Sequence, residues 1–471
     1  MPSYLITALT VACALFMENL DSTVISTSLP AIAMDLHEDP IALKLALTSY
    51  LVSLAIFIPA SGWAADRYGA RTIFRIAILV FTFGSILCGM SSNLPELVGA
   101  RVIQGLGGAM MTPVGRLLLL RSVERPDLVT ALSYLTIPAL LGPITGPLVG
   151  GFITTYFHWR WIFWINVPFG AVGIVLATLF IEDVRGEAAW PLDVKGFLLC
   201  GSGLAFLLFG LGGAGRGLIP GETVVLLAGA GVLALAAYVW HARRAAFPLI
   251  DLKLLSIKTF RASVLGGSLF RIGIGSIPFL LPLMLQAGFG MNALQSGSIT
   301  FIASAGAMAM KATAAPILRL FGFRRVLIFD AILSAAFLAS YGLFTPWTPV
   351  VLMMSVLLVG GFVRSLEFTS LNSIAYAEID SARISRAVSF ASVAQQLALS
   401  LGVAAGAGAL QGFAYLNGAS NIYATENFKW AFFAMAAISL SAMFAFLRLP
   451  TDAGWQLTRT RTDEAIAPAS Q

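Results

Sequence analysis

Apolar residues run through this chain in long blocks, each closed by a charged cluster or by Pro and Gly. The blocks are continuous rather than alternating, which argues against a membrane β-barrel. A helix needs roughly 20 apolar residues to cross a hydrocarbon core about 30 Å thick. Hydropathy read this way predicts about fourteen spans. Their limits are 5–33, 43–63, 73–91, 95–118, 128–153, 161–181, 195–214, 221–241, 260–286, 293–316, 324–344, 348–375, 383–414 and 427–448. The first block is too long for a signal peptide, lacks a basic start and carries Glu18 and Asp21, so it is expected to be a retained helix.

Composition supports the same class. Charged residues make up 11% of the 471 positions, 58% are hydrophobic, and the mean hydropathy is +0.87. A soluble domain runs near 25% charged because its surface must be wet. The pI of about 9.3 does not point to nucleic acid, because the basic residues sort by position. With a cytoplasmic N-terminus, the inner connections hold 21 of the 29 Lys and Arg. The outer ones hold only Lys44, Arg160, Arg216 and Lys429. This bias is the positive-inside signature and predicts that both termini are cytoplasmic.

Chemistry of other kinds has little support. Cys13, Cys88 and Cys200 lie inside apolar blocks, and His37, His158 and His241 show no ligand spacing, so no metal or cofactor is expected. No lysine follows a glycine, so the core of a phosphate-binding P-loop is absent. No nucleophile–base constellation suggests an enzyme.

An internal echo organises the chain. Gly62 to Arg71 joins spans two and three, and Ala315 to Arg325 joins spans ten and eleven, with Gly69 matching Gly322 and Arg71 matching Arg324. Repeats flanking a central site are how many secondary transporters are built. The expected division is a six-helix bundle over 1–182, a two-helix insert with its linkers over 183–258, a second six-helix bundle over 259–449, and a cytoplasmic tail over 450–471.

Five segments resemble the major facilitator superfamily, and in particular its fourteen-span drug:proton antiporter branch of the EmrB and QacA kind. Leu20 to Pro30 resembles the first-span signature of that branch, with serines where Asn and Ala usually stand. Gly62 to Arg71 resembles the superfamily loop motif, Arg101 to Gly108 the fourth-span motif and Gly142 to Gly151 the antiporter motif of the fifth span. Trp159 to Gly170 is similar to the branch's sixth span. Motifs thin out in the second half, where Arg319 stands at the position matching Asp66. The resemblance implies an all-α polytopic membrane protein of the major facilitator fold, and proton-coupled export of drug-like compounds across the bacterial inner membrane. It implies a monomer that moves a small molecule and protons through the lipid bilayer by alternating access.

Intramembrane charges are the candidates for mechanism, since burying them is expensive. Glu18 and Asp21 are three residues apart on one helix face. Burial favours the neutral carboxyl and a nearby cation the ionised one, so a change of partner can load and release a proton. The alternative is a static polar clasp between helices. Glu18 is also a candidate contact for cationic drugs. The resemblance makes Arg101 the proton-coupling arginine, and the plain alternative is an ion-pair partner for Asp21; Gln104 is placed to hydrogen-bond within the same network and is a further candidate substrate contact. Gly62, Asp66, Arg67, Gly69 and Arg71 form a tight basic turn, with a latch and a purely topological role both open. Gly142, Pro143, Gly146, Pro147, Gly150 and Gly151 suit close helix approach.

The second half carries Arg271 in span nine and Lys311 in span ten without an acidic residue between them. They suggest a site for an organic anion or a metal–carboxylate complex, or else pairing with Glu18, Asp21 or Glu367. Arg364 and Glu367 have the spacing to pair along one helix, and Asp330 lies close to the inner edge of its span. Gln395, Gln396, Met284, Gln286, Met308 and Met310 are candidate pocket residues or plain packing. A transporter-like sensor or scaffold without flux is the remaining alternative; the buried charges disfavour it.

Overall fold

A computed structural model describes residues 3–122, 141–142, 145–182, 191–213, 220–246, 248–379, 383–418 and 421–454. Among them every regular element is helical. An apolar chain in lipid has no water for its N–H and C=O groups, and a helix satisfies them within the segment. The first half gives α1 (Ser3–Asp35), α2 (Lys44–Tyr68), α3 (Ala70–Met90), α4 (Leu94–Ser122), α5 (145–156) and α6 (Trp161–Phe180). Two helices follow, α7 (Val194–Gly213) and α8 (Gly221–Ala242). The remainder gives α9 (Lys258–Gly288), α10 (Ala293–Phe321), α11 (Phe323–Tyr341), α12 (Val350–Ile374), α13 (Ile384–Leu416) and α14 (Thr425–Phe446). Ten helices among the described residues are long and apolar enough to cross a membrane.

Helix ends follow local chemistry. Asn292 and Gln295 close a reciprocal capping box at the start of α10. The α2–α3 and α10–α11 turns are built alike. Gly69 (φ 91°) and Gly322 (φ 74°) occupy the left-handed region that other residues resist, and each donates its N–H to a carbonyl of the preceding helix, Ala65 or Leu318. Two residues on, Arg71 reaches the Thr178 carbonyl near the end of α6, and Arg324 reaches the Leu447 carbonyl at 3.1 Å, just past α14. Each arginine staples its turn to the last helix of its own half.

Packing within each half is tight. The helix α4 lies against α1, α2 and α3, and α6 covers α1 and α3. In the second half α12 lies against α10 and α11, while α9, α13 and α14 contact one another. The α7–α8 hairpin leans on α2. Its outer face is apolar and open, with Leu226 and Leu233 each 72% exposed, as suits a surface wetted by lipid.

The halves meet along two seams. In one, α2 packs on α13, and Phe390, Val393 and Leu397 of α13 join the first half's core. The other lies where α1 ends, and it is hydrogen-bonded. Gln286 donates to the Thr27 carbonyl at 3.0 Å, the Leu294 N–H to Thr155 Oγ1 at 3.0 Å, and the Tyr423 hydroxyl to Asp39 Oδ1 at 2.8 Å.

Candidate functional site

Polar side chains in the first half converge on one buried point. Arg101 and Gln104 are three residues apart on α4 and share a face. Arg101 Nη1 donates to Asp21 Oδ2 and to Gln104 Oε1, each at 2.6 Å, and Arg101 Nε donates to the Ala46 carbonyl at 3.2 Å. Its guanidinium lies 4.3 Å from the centre of the Tyr50 ring. The other carboxylate oxygen, Asp21 Oδ1, accepts from Gln104 Nε2 at 2.9 Å and from Asn166 Nδ2 at 2.7 Å. Ser85 Oγ takes a second bond from each of those amides, at 3.1 Å and 2.9 Å. Side chains of Arg101 and Asp21 are both only 1% exposed, and both oxygens of Asp21 accept hydrogen bonds.

Small residues make this convergence possible. A Cβ at Gly84 would sit 2.5 Å from the Gln104 backbone nitrogen, and one at Gly105 would sit 2.6 Å from Ser53 Cβ. Glycine lets α3 and α2 close on α4, so that α1, α3, α4 and α6 each deliver a polar group to one point. Asn166, Ser85 and Tyr50 join the site although the motif reading assigned them no role. Asn166 carried a usable signal, an amide in the apolar block that becomes α6; Ser85 carried none.

Glu18 stands apart. It accepts from Thr112 Oγ1 at 2.8 Å, one turn from Asp21, and joins no contact with Arg101. The shared helix face therefore serves two different partners.

A cavity of about 540 Å³ opens between the halves beside this network. Asn19, Ser22, Thr23, Tyr50 and Arg101 line it from the first half, and Met308, Lys311, Arg364, Phe368 and Asn372 from the second. Three cations, Arg101, Lys311 and Arg364, face it, and no carboxylate belongs to the described lining. Lys311 Nζ donates to Thr369 Oγ1 at 2.6 Å.

Several expectations for the second half need correction. Arg271 does not line the cavity: it sits behind the wall, donating to Asn372 Oδ1 at 3.2 Å and lying 5.4 Å from the Phe368 ring centre. Arg364 and Glu367 do not pair: Arg364 turns to the cavity, and both oxygens of the wholly buried Glu367 lack a hydrogen-bond partner among the described residues. Asp330, close to the inner edge of its span by sequence, is nevertheless buried between helices at 3% exposure, so its position along the span does not leave it in solvent. Gln395 and Gln396 are half-buried and outside the described cavity lining; in the first half Gln104, also outside it, is fully buried. Met284 and Met310 are plain core, and Gln286 belongs to the seam.

The conformational candidates fall into two places. Arg67 is exposed, Gly62 has open space around it, and Gly69 with Arg71 forms the turn described above; the Asp66 side chain lies outside the described residues. Gly142, Gly146 and Gly150 press against α1, where added Cβ atoms would meet Leu20, Thr23 and Thr27. On the adjacent face, about 100° round the helix, Gly151 meets Ala293 of α10, and Pro147 presents its carbonyl to Gly297. Pro143 lies outside the described residues. Glycine thus lets α5 wedge between α1 and α10.

Comparison with known proteins accounts for this arrangement. The model of the Major Facilitator Superfamily matches residues 11–403 and 263–470. The chain belongs to the major facilitator superfamily. It is a multi-pass membrane transporter, not an enzyme, and many transporters built of two repeats place their substrate sites at the repeat interface. A Yersinia enterocolitica protein provisionally named multidrug resistance protein MdtD is 38% identical over 447 residues, covering 94% of this chain and 95% of its own. Among solved structures, the POT family transporter PepTSo superposes with a TM-score of 0.69 at 13% identity, over 96% of this chain and 99% of its own. A D-xylose–proton symporter superposes with a TM-score of 0.68 at 16% identity, over 95% and 98%. At those identities the structures speak for the fold. The MdtD likeness supports a secondary transporter of the multidrug type.

Proposed function

We propose that this protein exports small drug-like molecules across the bacterial inner membrane in exchange for protons, as a monomer of the fourteen-span drug:proton antiporter branch with both termini cytoplasmic. One observation carries the reading. Arg101 holds Asp21 in a buried ion pair and also lines the central cavity. The same guanidinium therefore answers both to the state of the carboxyl and to whatever occupies the cavity. Protonating Asp21 removes the charge that holds Arg101, and the freed cation turns towards the cavity. Losing the proton reverses the exchange. Residues 1–182 and 259–449 are the two halves that rock against each other, with 183–258 as the insert. The motif of Gly142 to Gly151 supports exchange rather than co-transport.

The test uses purified protein in liposomes with an imposed pH gradient. Cationic ethidium and anionic fluorescein serve as the two probes. Gradient-dependent movement of either dye, with matching proton flow, is the expected result. Flux indifferent to the gradient sinks the reading.

A second reading concerns the cargo. The cavity's three cations and lack of a described carboxylate favour an organic anion or a metal–carboxylate complex over a cationic drug. Lys311 and Arg364 then hold the anion, with Arg271 behind them. Lys311→Ala and Arg364→Ala are each expected to weaken fluorescein binding roughly 10-fold, the scale of a charge-assisted hydrogen bond of about 1.5 kcal/mol. Unchanged fluorescein binding in both variants removes the anion reading.

A further inference from the structure

The second half contains a cluster of polar atoms that nothing in the site above uses. Among the described residues, Asp330 Oδ2 and both oxygens of Glu367 have no hydrogen-bond partner. Neither do the hydroxyls of Ser334 and Ser370 or Nε of Arg271. All five residues are buried, with Glu367 and Ser370 at 0% exposure, Asp330 and Ser334 at 3%, and Arg271 at 4%. Ser334 follows Asp330 by one turn on α11, and Ser370 follows Glu367 by one turn on α12. The two helices pack together, and the charges of Asp330 and Arg271 both bear on Glu367.

Asp21 shows by contrast how a buried carboxyl is satisfied in the first half, by a guanidinium and two amides in contact. Glu367 has none of these. An unbonded carboxylate buried at this depth costs far more than one lost hydrogen bond. Two buried carboxyl groups on packed helices, the charge of one bearing on the other, also disfavour double ionisation. Other charged or titratable groups nearby are already directed elsewhere. Arg364 faces the cavity beside the buried Tyr341, Lys311 of α10 donates to Thr369, and Tyr376 lies beyond the end of α12.

We propose that Asp330 and Glu367 form a second proton-carrying site, in the second half and separate from the Asp21–Arg101 pair. In the structure described the pair holds its protons. When the halves rearrange, Arg271, whose Nε is free to donate, becomes the partner that an ionised Glu367 needs, and the proton leaves. Its use in transport rests on the proton-coupled reading above; its existence does not. A carrier with both sites moves more than one proton per cycle.

The test needs no substrate. Full-length protein is reconstituted in liposomes, and its infrared spectrum is recorded over a pH series in H2O and D2O. The readout is the carbonyl-stretch band of protonated carboxyl groups. The wild type is expected to show this band at neutral pH, with the part due to the pair lost in Glu367→Gln and in Asp330→Asn and retained in Asp21→Asn. Because Gln is isosteric with a neutral carboxyl, Glu367→Gln is also expected to keep the wild-type melting temperature. A band unchanged in both variants overturns the proposal. So does a large drop in melting temperature in both, which means that an ionised carboxylate was bonded. Loss of the band on adding Na+ at fixed pH also overturns it and assigns the oxygens to a metal cation. Failure of gradient-driven transport with the band intact leaves this site standing and removes only the transport reading.

Discussion

Asp21→Asn is expected to abolish gradient-driven dye movement in liposomes while the protein still inserts and folds. The amide matches the carboxylate in shape, so Gln104 and Asn166 keep most of their packing. It cannot take up a proton, and it leaves Arg101 charged without a counter-ion. Breaking a buried pair from one side costs about 3–5 kcal/mol. That cost falls on stability, whereas the coupled flux is lost because position 21 no longer takes up or releases a proton. Melting temperature should fall with it. Arg101→Ala should do similar damage, and the double variant should be less destabilised than the sum, because each single change strands the other's charge. Wild-type flux in Asp21→Asn, still driven by the gradient, refutes proton coupling through this pair.

Gly151→Val is expected to have the second largest effect, by another route. A Cβ at Gly151 would lie 2.6 Å from the Ala293 carbonyl oxygen, backbone against backbone, so no side chain can give way. The contact between α5 and α10 must open, and the seam where α1 ends opens with it. Overpacking of this kind typically costs 1–3 kcal/mol, here applied to one conformation rather than to the fold. Cysteines placed at positions 155 and 294, close across the seam in wild type, should then crosslink several-fold more slowly. Unchanged crosslinking, with unchanged transport, refutes a role for this glycine in sealing the halves.

Much of this architecture was legible in the sequence because lipid imposes one rule, that apolar blocks become helices. The buried charges were legible for a similar reason, since few other features explain an Arg101 or an Asp21 inside such a block. What hydropathy lacks is the direction in which a side chain points. Asp330 was placed near the edge by its distance from the end of α11, but α12 and α14 pack against that helix and bury it. Arg364 and Glu367 have a spacing that permits pairing. Neighbours decided otherwise, because α12 has the cavity on one side and α11 on the other. Ser85 was silent because serine is common in membrane helices and only α4 and α6 closing on α3 give it a role. Gln395 and Gln396 were over-read on the same ground, as amides whose surroundings the sequence does not reveal.

The seam between Thr27, Thr155 and Asp39 on one half and Gln286, Leu294 and Tyr423 on the other has an energetic consequence. Hydrogen bonds between helices in membranes average about 0.6 kcal/mol and reach about 1.7. Three of them hold the halves together with roughly 2–5 kcal/mol. One proton falling through one pH unit releases about 1.4 kcal/mol. The bonds across the seam are therefore on the scale of a physiological gradient: two to four protons, each falling through one pH unit, release about as much free energy as the three bonds supply.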